Sequence, residues 1–317
     1  MPVREADFRA PWWLRGGHAQ TLWSTMTRRK PALQTRRERL ELPDGDFLDL
    51  DWLGGGQGPL VVVLHGLEGS IESPYARGLL RAIQARGWRG VLMHFRGCSG
   101  EANRLDRAYH SGETGDVAQV IEILARRHPG APLAAVGYSL GGNVLLKWLG
   151  ERGGDSPLAC GVAVSVPFSL SACADQLDKG PSRLYQAHFL RDLKASRLRK
   201  RPGEALPEPL RTIRAWDERV TAPLHGFEGA EDYYTRSSSA QFLRHIRRPT
   251  LVLHARDDPF MTPAVIPDPD ALSESVEMEI SQGGGHVGFV HGQHPLRPRY
   301  WLEERIPAFL DRHLRGR

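Results

Sequence analysis

Residues 131–142 read APLAAVGYSLGG, and this stretch decides the fold. Its second half, Gly137-Tyr138-Ser139-Leu140-Gly141, fits the pattern G-x-S-x-G, with an apolar run before it and a helical pattern after it. A strand, a sharp turn and a helix in this order are the context in which the pattern predicts a nucleophile elbow. A serine on such a strained turn needs neighbours without a Cβ atom, which the two glycines provide. The pentapeptide also occurs in ordinary tight turns, so the other parts of a site have to decide between the two interpretations.

A nucleophilic serine needs a base, and in this context an acid and then a histidine follow the serine along the chain. The acid candidates are Asp257 and Asp258, which come directly after the apolar run 250–254. Pro259 fixes a turn after Asp258, and the second position better suits a residue that leaves the strand towards the site. We therefore favour Asp258 over Asp257 as the acid that orients the histidine.

The histidine candidates lie after the last predicted strand. His286 follows the three glycines 283–285, which let a loop pass close to the elbow, whereas His291 and His294 lie further on in a polar loop. We predict that His286 takes the proton of Ser139 and returns it to the leaving group, while the acid fixes the tautomer of the imidazole. Histidines at other positions are interpreted as structural or exposed, namely His65, His94, His110 and His254.

An acyl-transfer intermediate also needs two preorganised donors for its oxyanion. One candidate is the backbone N–H of Leu140, the residue after the serine. The other is the backbone N–H of Leu67, in the loop His65-Gly66-Leu67-Glu68-Gly69 that follows the first clear buried strand. The alternative interpretation of this loop is a plain glycine-rich turn.

Apolar, β-rich runs alternate with helical patterns along the chain. Repeated strand–helix–strand units predict an α/β fold, with a mostly parallel central sheet and helices on both faces. Ahead of them, residues 38–53 alternate around Pro43-Asp44-Gly45, which predicts an antiparallel hairpin. Residues 275–280 alternate apolar with polar, as an edge or half-exposed strand does. The other predicted strands are residues 60–64, 90–95, 160–166 and 250–254 and the apolar run that leads into the elbow, and predicted helices are residues 75–86, 115–127 and 299–315.

We expect residues 1–317 to form one domain with two additions. Residues 1–37 form an N-terminal extension whose Trp12 and Trp13 pack on the body. Residues 168–247 have aromatics, positive charge and helix-like pieces but no long buried strand, which indicates a lid insertion above the sheet. A separate domain is the alternative. Apolar lid residues expected to line an acyl pocket are Phe168, Leu170, Leu184, Phe189 and Phe227.

A basic cluster lies within this insertion. It belongs either to a solvated helix face or to a lid that meets an anionic lipid surface or an anionic acyl donor. Its residues are Arg191, Lys194, Arg197, Arg199, Lys200 and Arg201.

The composition excludes several other classes of function. A net charge of +5 over 317 residues, without a nucleic-acid-binding motif, gives no case for a nucleic-acid partner. No zinc-binding, phosphate-binding or dinucleotide-binding motif occurs in a structural context that fits it, so we expect no metal and no cofactor.

Three cysteines without metal spacing indicate reduced thiols, and the N-terminus lacks the apolar core of a secretory signal, so we expect a cytoplasmic protein. The uncharged stretch 157–174 contains prolines and a β-branched core, which favours a buried strand over a membrane span.

With these motifs assembled, the chain resembles the α/β-hydrolases, and more narrowly the YheT-type hydrolases. By this resemblance the triad is Ser139, Asp258 and His286, and the relatives include animal hydrolases of medium-chain phospholipids and other esters. Those animal relatives carry an N-terminal membrane anchor, which we do not expect here. The stretches that carry the resemblance are residues 17–21, 65–70, 95–100, 109–114, 137–143, 221–227, 257–260 and 284–289.

The expected activity is hydrolysis of carboxylic esters with short to medium acyl chains, through an acyl-enzyme at Ser139. A thioesterase, an amidase or a lipid hydrolase on the same fold remains open, because fold does not determine substrate. The alternative outside the enzymes is a non-catalytic binding protein with the same fold, although such proteins usually lack one member of the triad.

Overall fold

The central strands form from runs of apolar residues, because helices cover both faces of the sheet that these runs build. The computed structural model describes residues 2–28, 30–55 and 57–314. Every residue of Leu60–Leu64 and Cys160–Val164 is buried. Along the first of these strands, Val62 packs into the core on one face of the sheet and Val61 and Val63 into the core on the other. Near-continuous apolar runs of this kind are typical of parallel sheets between two helical layers.

Nine strands of the described chain form the main sheet, in the order β1-β9-β8-β7-β6-β4-β5-β3-β2. Neighbours from β1 to β5 in this order run parallel, and β3 and β2 complete the sheet as antiparallel strands. The strands are β1 Val3–Glu5, β2 Arg36–Glu41, β3 Phe47–Leu53, β4 Leu60–Leu64, β5 Arg89–Met93, β6 Leu133–Tyr138, β7 Cys160–Val164, β8 Thr250–Ala255 and β9 Val276–Ser281, with β10 Val290–His291 and β11 Arg299–Tyr300 pairing separately.

Helices cover both faces of this sheet. Helices α3 and α4 contribute to the core on one face, and α2 and α10 to the core on the other. The helices are α1 Gly17–Met26, α2 Pro74–Gln84, α3 Gly115–Arg127, α4 Leu140–Arg152, α5 Leu170–Leu177, α6 Arg183–Lys200, α7 Ile213–Trp216, α8 Ala222–His225, α9 Ala230–Ser237 and α10 Leu302–Leu314. Within the described residues, no helix is both long and apolar enough to cross a membrane.

The alternating strand β9 is not at the edge, contrary to the prediction for residues 275–280. Strand β1 pairs with it in parallel on its outer side. Its polar residue Glu279 is buried and bonded to Arg4 of β1 and Arg305 of α10. The polar position in this alternation is therefore a buried carboxylate that two guanidinium groups pair. A carboxylate on a solvent-facing edge strand would not need these partners.

The segment between β7 and β8 contains α5 to α9 and no described strand. A π-helical turn, Asp217–Thr221, joins α7 to α8. The segment packs through small apolar clusters of its own, but its first predicted residue, Phe168, is fully buried in the main core. The body of the fold therefore extends a few residues into the stretch that we assigned to the lid.

The N-terminal residues include strand β1 of the main sheet, and residues after β1 pack against the body of the fold. Beyond β1, the ring of Trp13 packs on Trp23 and its Nε1 donates to the carbonyl oxygen of Gly292 at 3.0 Å. The prediction that both tryptophans pack was wrong for Trp12, which is 72% exposed. Met1 and Arg29 of the predicted extension, and Arg315 to Arg317 at the other end, lie outside the described residues.

Candidate active site

Ser139 lies on a sharp turn between β6 and α4. Its φ angle is +52°, a left-handed conformation that costs about 1–3 kcal/mol for a residue with a side chain. A Cβ atom on Gly137 would lie 2.3 Å from the carbonyl oxygen of Gly141, and a Cβ on Gly141 would lie 2.5 Å from that of His65. Both glycines are thus required sterically, as the motif predicted, and the turn exposes the serine side chain above the sheet.

Three side chains form a row of hydrogen bonds at the carboxyl ends of β6, β8 and β9. His286 Nε2 lies 2.9 Å from Ser139 Oγ, and His286 Nδ1 lies 2.8 Å from Asp258 Oδ2. Asp258 is buried, and its Oδ1 accepts the N–H of Phe260 at 2.9 Å. The ring of Phe260 stacks on the imidazole, with ring centroids 3.9 Å apart. The predicted acid, base and serine therefore meet, and a stacked aromatic ring, which we did not predict, covers the base.

The alternative candidates for the acid and the base form other hydrogen bonds and ion pairs. Asp257 Oδ1 accepts the N–H of Gly285 at 2.8 Å, in the loop that carries the imidazole, and burial raises the pKa of this carboxyl. His291 Nε2 lies 3.3 Å from Glu304 Oε1, and His294 Nδ1 accepts the N–H of Leu296. The structure thus separates the two adjacent aspartates: Asp258 contacts the imidazole, and Asp257 contacts its loop.

The two predicted oxyanion donors are the N–H of Leu67, in the loop after β4, and the N–H of Leu140, the residue after Ser139. In the described part of the chain, the N–H groups of Leu67 and Leu140 make no hydrogen bond, whereas the N–H groups on either side of Leu67 donate to Tyr75 and Tyr109. Both leucines border the same cavity as Ser139. Both N–H groups are therefore available to an oxyanion in this cavity.

Among the other histidines, His65 and His254 are buried within the body. His65 Nε2 accepts the N–H of Phe95 at 3.1 Å, and burial lowers the pKa of His65 to about 3, which keeps the ring neutral. Burial likewise lowers the pKa of His254 to about 4. His94 Nε2 lies 2.7 Å from Asp51 Oδ2. All three are buried inside the body, and none of them borders the cavity next to Ser139.

His110 differs from this group because it borders the cavity. Its ring lies 4.6 Å from that of His225, another cavity residue. Burial lowers the pKa of His110 to about 3 and that of His225 to about 4, so both rings are neutral at pH 7. We interpreted His110 as structural or exposed, and its place in the cavity wall was not predicted.

A cavity of about 170 Å³ opens onto Ser139 and His286. Its wall is mainly apolar and comes largely from the segment between β7 and β8. Of the five predicted lining residues, Leu170 and Phe189 border it. The prediction was wrong for the other three: Phe168 lies in the main core, Leu184 is 76% exposed, and Phe227 packs on His110 outside the wall. Further apolar lining residues are Leu177, Leu193, Ile213, Trp216, Val220 and Leu224.

The basic cluster on α6 divides between solvent and cavity. Arg197 bonds Asp106 at 2.7 Å and Glu204 at 2.6 Å, and Arg201 also bonds Asp106. Arg197, Arg199 and Lys200 border the cavity, whereas Arg191 is exposed and pairs with Asp192. The cluster is therefore more than a solvated helix face, because its last turn ties α6 to the loop at Asp106.

Residues of α1 are the main part of the site that the sequence reasoning missed. Thr21 and Gln20 contact the loop that carries His286. The signal was present, since residues 17–21 were among the stretches that carry the family resemblance, but they had no assigned role. In the described residues, no three or more His, Cys, Asp or Glu side chains are grouped as metal ligands.

Comparisons with known proteins identify the family of this chain. A family model for the alpha/beta hydrolase fold matches residues 59–293. The chain is 48% identical to the Escherichia coli (strain K12) protein "Putative esterase YheT", over 95% of this chain and 92% of that protein. It is 29% identical to the mouse protein "Phospholipase ABHD3", over 94% of this chain and 77% of the mouse protein.

A solved structure of the Pyrococcus furiosus esterase Pf2001 is similar with a TM-score of 0.60 at 17% identity, over 89% of this chain and 94% of that one. At this identity the likeness concerns the fold alone. The sequence matches go further than the fold, because they cover almost the full length of the bacterial relative. The chain belongs to the α/β-hydrolase family, within its YheT-type group of hydrolases.

Proposed function

We propose that the protein hydrolyses carboxylic esters with short to medium acyl chains, through an acyl-enzyme on Ser139. The observation that carries this proposal is the row Ser139–His286–Asp258, whose serine and imidazole border a mainly apolar cavity. A neutral serine is a poor nucleophile, and a hydrogen-bonded imidazole oriented by a buried carboxylate is the arrangement that activates it.

In the proposed reaction, Ser139 Oγ attacks the ester carbonyl carbon while its proton passes to His286 Nε2. The N–H groups of Leu67 and Leu140 hold the resulting oxyanion. As the intermediate collapses, the carbon–oxygen bond to the alcohol breaks, and the imidazolium gives its proton to the leaving oxygen. Water then repeats the sequence on the acyl-enzyme and releases the carboxylic acid. Asp258 stabilises the imidazolium in both halves of the reaction.

The cavity wall supports an acyl group as the part of the substrate that is bound. Leu170, Leu177, Phe189 and Trp216 present apolar surface on the segment above the sheet, and burying apolar substrate surface contributes about 25 cal/mol per Å². The names of the relatives, an esterase and a phospholipase, are consistent with an ester bond. A small-molecule ester needs no cofactor in this mechanism, and the three free thiols fit a cytoplasmic location.

A lipid hydrolase is the second candidate. Arg199 and Lys200 border the cavity, and among the described residues neither forms an ion pair with a carboxylate. Cations in this position favour a substrate, or a peripheral lipid surface, that carries negative charge. Thioesters and amides share the same mechanism, and the choice among them depends on the leaving group.

The test is turnover of p-nitrophenyl esters with acyl chains of two to twelve carbons, by the wild-type protein and by S139A. We expect hydrolysis by the wild type that peaks at short or medium chains, and loss of that rate in S139A. Equal rates for the two proteins would contradict the proposal. Acyl thioesters, anilides and anionic phospholipid vesicles, assayed alongside, separate the alternative substrates.

A further inference from the structure

We propose that Thr21, on helix α1, is a positioning residue that holds His286 in place for proton transfer, with Gln20 securing the same loop. This inference rests on the proposed function of the Ser139 site. Thr21 does not border the cavity, so its effect on the reaction passes through His286.

The loop that carries the imidazole is strained. Gly285, Val287 and Phe289 have φ angles of +60°, +58° and +43°. A left-handed conformation is rare and energetically unfavourable for a β-branched or aromatic residue. A loop of this kind keeps its shape only if contacts from outside determine it.

Thr21 supplies the contact made to His286 itself. Its Oγ1 accepts the backbone N–H of His286 at 2.8 Å, and its hydroxyl donates to the carbonyl oxygen of Gly17 at 2.7 Å. Because the hydroxyl hydrogen is directed to Gly17, a lone pair of Oγ1 faces His286. Thr21 is buried, so water cannot replace it without opening the contact between α1 and the loop.

Gln20 holds the following strand. Its Oε1 accepts the N–H of Val290 at 2.7 Å, and its Nε2 donates at 3.0 Å to the carbonyl oxygens of Val290 and Leu14. Gln20 is fully buried. A side-chain amide with its oxygen and both hydrogens bonded fixes the distance between α1 and the loop.

The helix and the loop are in direct backbone contact. A Cβ atom on Gly285 would lie 2.3 Å from the carbonyl oxygen of Gly17, and a Cβ on Gly288 would lie 2.5 Å from that of Gln20. There is no space for the loop to shift towards α1. This contact gives a physical reason for the stretch Gly17–Thr21, which the mechanism at Ser139 does not otherwise use.

Other residues hold the neighbouring amides but not that of His286. Asp257 accepts the N–H of Gly285, and Ser165 Oγ accepts the N–H of Val287 at 3.0 Å. Loss of the Thr21 hydroxyl therefore leaves the N–H of His286 buried and unpaired, and an unpaired buried donor is unfavourable. A shift of the loop that restores a partner would move the imidazole, and a misplacement of about 1 Å can cost about a hundredfold in rate.

The experiment compares T21V, T21S and the control T25V with the wild type. Thr25 lies one turn further along α1, is exposed and does not contact the loop. With p-nitrophenyl butyrate we expect T21V to lower kcat about thirtyfold to a hundredfold with KM changed less than twofold. T21S keeps the hydroxyl and should stay within threefold of the wild-type kcat, and T25V should match the wild type.

A spectroscopic measurement tests the inference independently of turnover. In the wild type we expect a downfield proton NMR signal from the His286 imidazole N–H that faces Asp258, with the same signal in T21S and T25V. The signal should be broadened or lost in T21V. If the wild type hydrolyses no ester, the proposed function fails while this signal still decides the role of Thr21.

Three results would overturn the inference. The first is a T21V kcat within threefold of the wild type, with the imidazole signal unchanged. The second is an equal loss of kcat and melting temperature in T21V and T21S, which would point to packing alone. If T21V does not fold, T21A replaces it under the same criteria, and failure of both to fold would reject a positioning role in favour of a structural one.

Discussion

The carboxyl edge of the sheet and the segment from α5 to α9 hold their residues in different ways. At the edge, each candidate catalytic side chain follows a strand by one to five residues and is fixed by hydrogen bonds of 2.8–2.9 Å. In the segment, the helices pack through small apolar clusters, and α6 is tied to the body by polar contacts, such as Ser196 with Glu68 and Arg197 with Asp106. This difference suggests that chemistry depends on the rigid edge and acyl selectivity on the segment, so that one can change without the other.

The largest expected effect concerns the two adjacent aspartates at the edge. D258N should lower kcat about 10⁴-fold, because an amide at this position favours the wrong tautomer of the imidazole. D257N is the matched control, since its amide oxygen can still accept the N–H of Gly285, and its kcat should fall less than tenfold. Steady-state kinetics on one ester substrate measures both. A D257N loss as large as that of D258N would remove the distinction between the two carboxyls.

The elbow should be intolerant of a single methyl group. A Cβ on Gly141 would meet two backbone carbonyl oxygens, those of His65 and Leu64, at 2.5 and 2.6 Å. We expect G141A to lower the free energy of unfolding by more than about 3 kcal/mol, as overpacking against immobile backbone does. A Cβ on Gly154 would point into open space among the described residues, so G154A is the control and should change stability by less than about 1 kcal/mol. Urea unfolding compares the two, and equal stability would contradict a rigid edge.

The segment, in contrast, contains a carboxyl that destabilises it at neutral pH. Asp217 is buried, which raises its pKa to about 6 despite hydrogen bonds from Thr221 and Tyr234. An unfolded aspartate ionises near pH 3.9. Between about pH 4 and pH 6 the folded state therefore binds more protons than the unfolded state, so stability falls as pH rises through this window and stays lower above it.

D217N removes this ionisation. We expect D217N to gain on the order of 2 kcal/mol over the wild type at pH 8 and nothing at pH 4. D270N, on an exposed turn, should show no such difference between the two pH values. Urea unfolding at both pH values provides the measurement. A D217N gain of the same size at pH 4 would assign the effect to packing and not to ionisation.

The smallest expected effect is a change of acyl preference. Phe189 borders the cavity, whereas Leu184 on the same helix is exposed. F189A should lower the ratio of kcat/KM for p-nitrophenyl octanoate to that for the acetate about tenfold, within the range that apolar pocket contacts provide. L184A should leave this ratio within twofold of the wild type. An unchanged ratio in F189A would place the acyl site elsewhere.

The same comparison explains what the sequence could predict. Ser139, Asp258 and His286 were accessible because each follows an apolar strand, and the carboxyl ends of parallel strands share one edge. The three-residue strand β1 gives no periodic signal, so the covering of β9 was missed. The apolar residues of the long helix α6 do not mark one face, so the side that turns inward depends on tertiary packing, and Phe189 and Leu184 looked equivalent. The contact of Thr21 with His286 joins residues 265 positions apart, and no local pattern reports it.

The central claim is that Ser139 forms the covalent intermediate, and trapping that intermediate tests it most directly. The wild-type protein is quenched in acid during turnover of p-nitrophenyl butyrate, and its peptides are analysed by mass spectrometry. We expect a butyryl group on Ser139, no such group on S139A, and a fluorophosphonate adduct on the same serine. Acylation at another residue, or equal modification of S139A, would contradict the account.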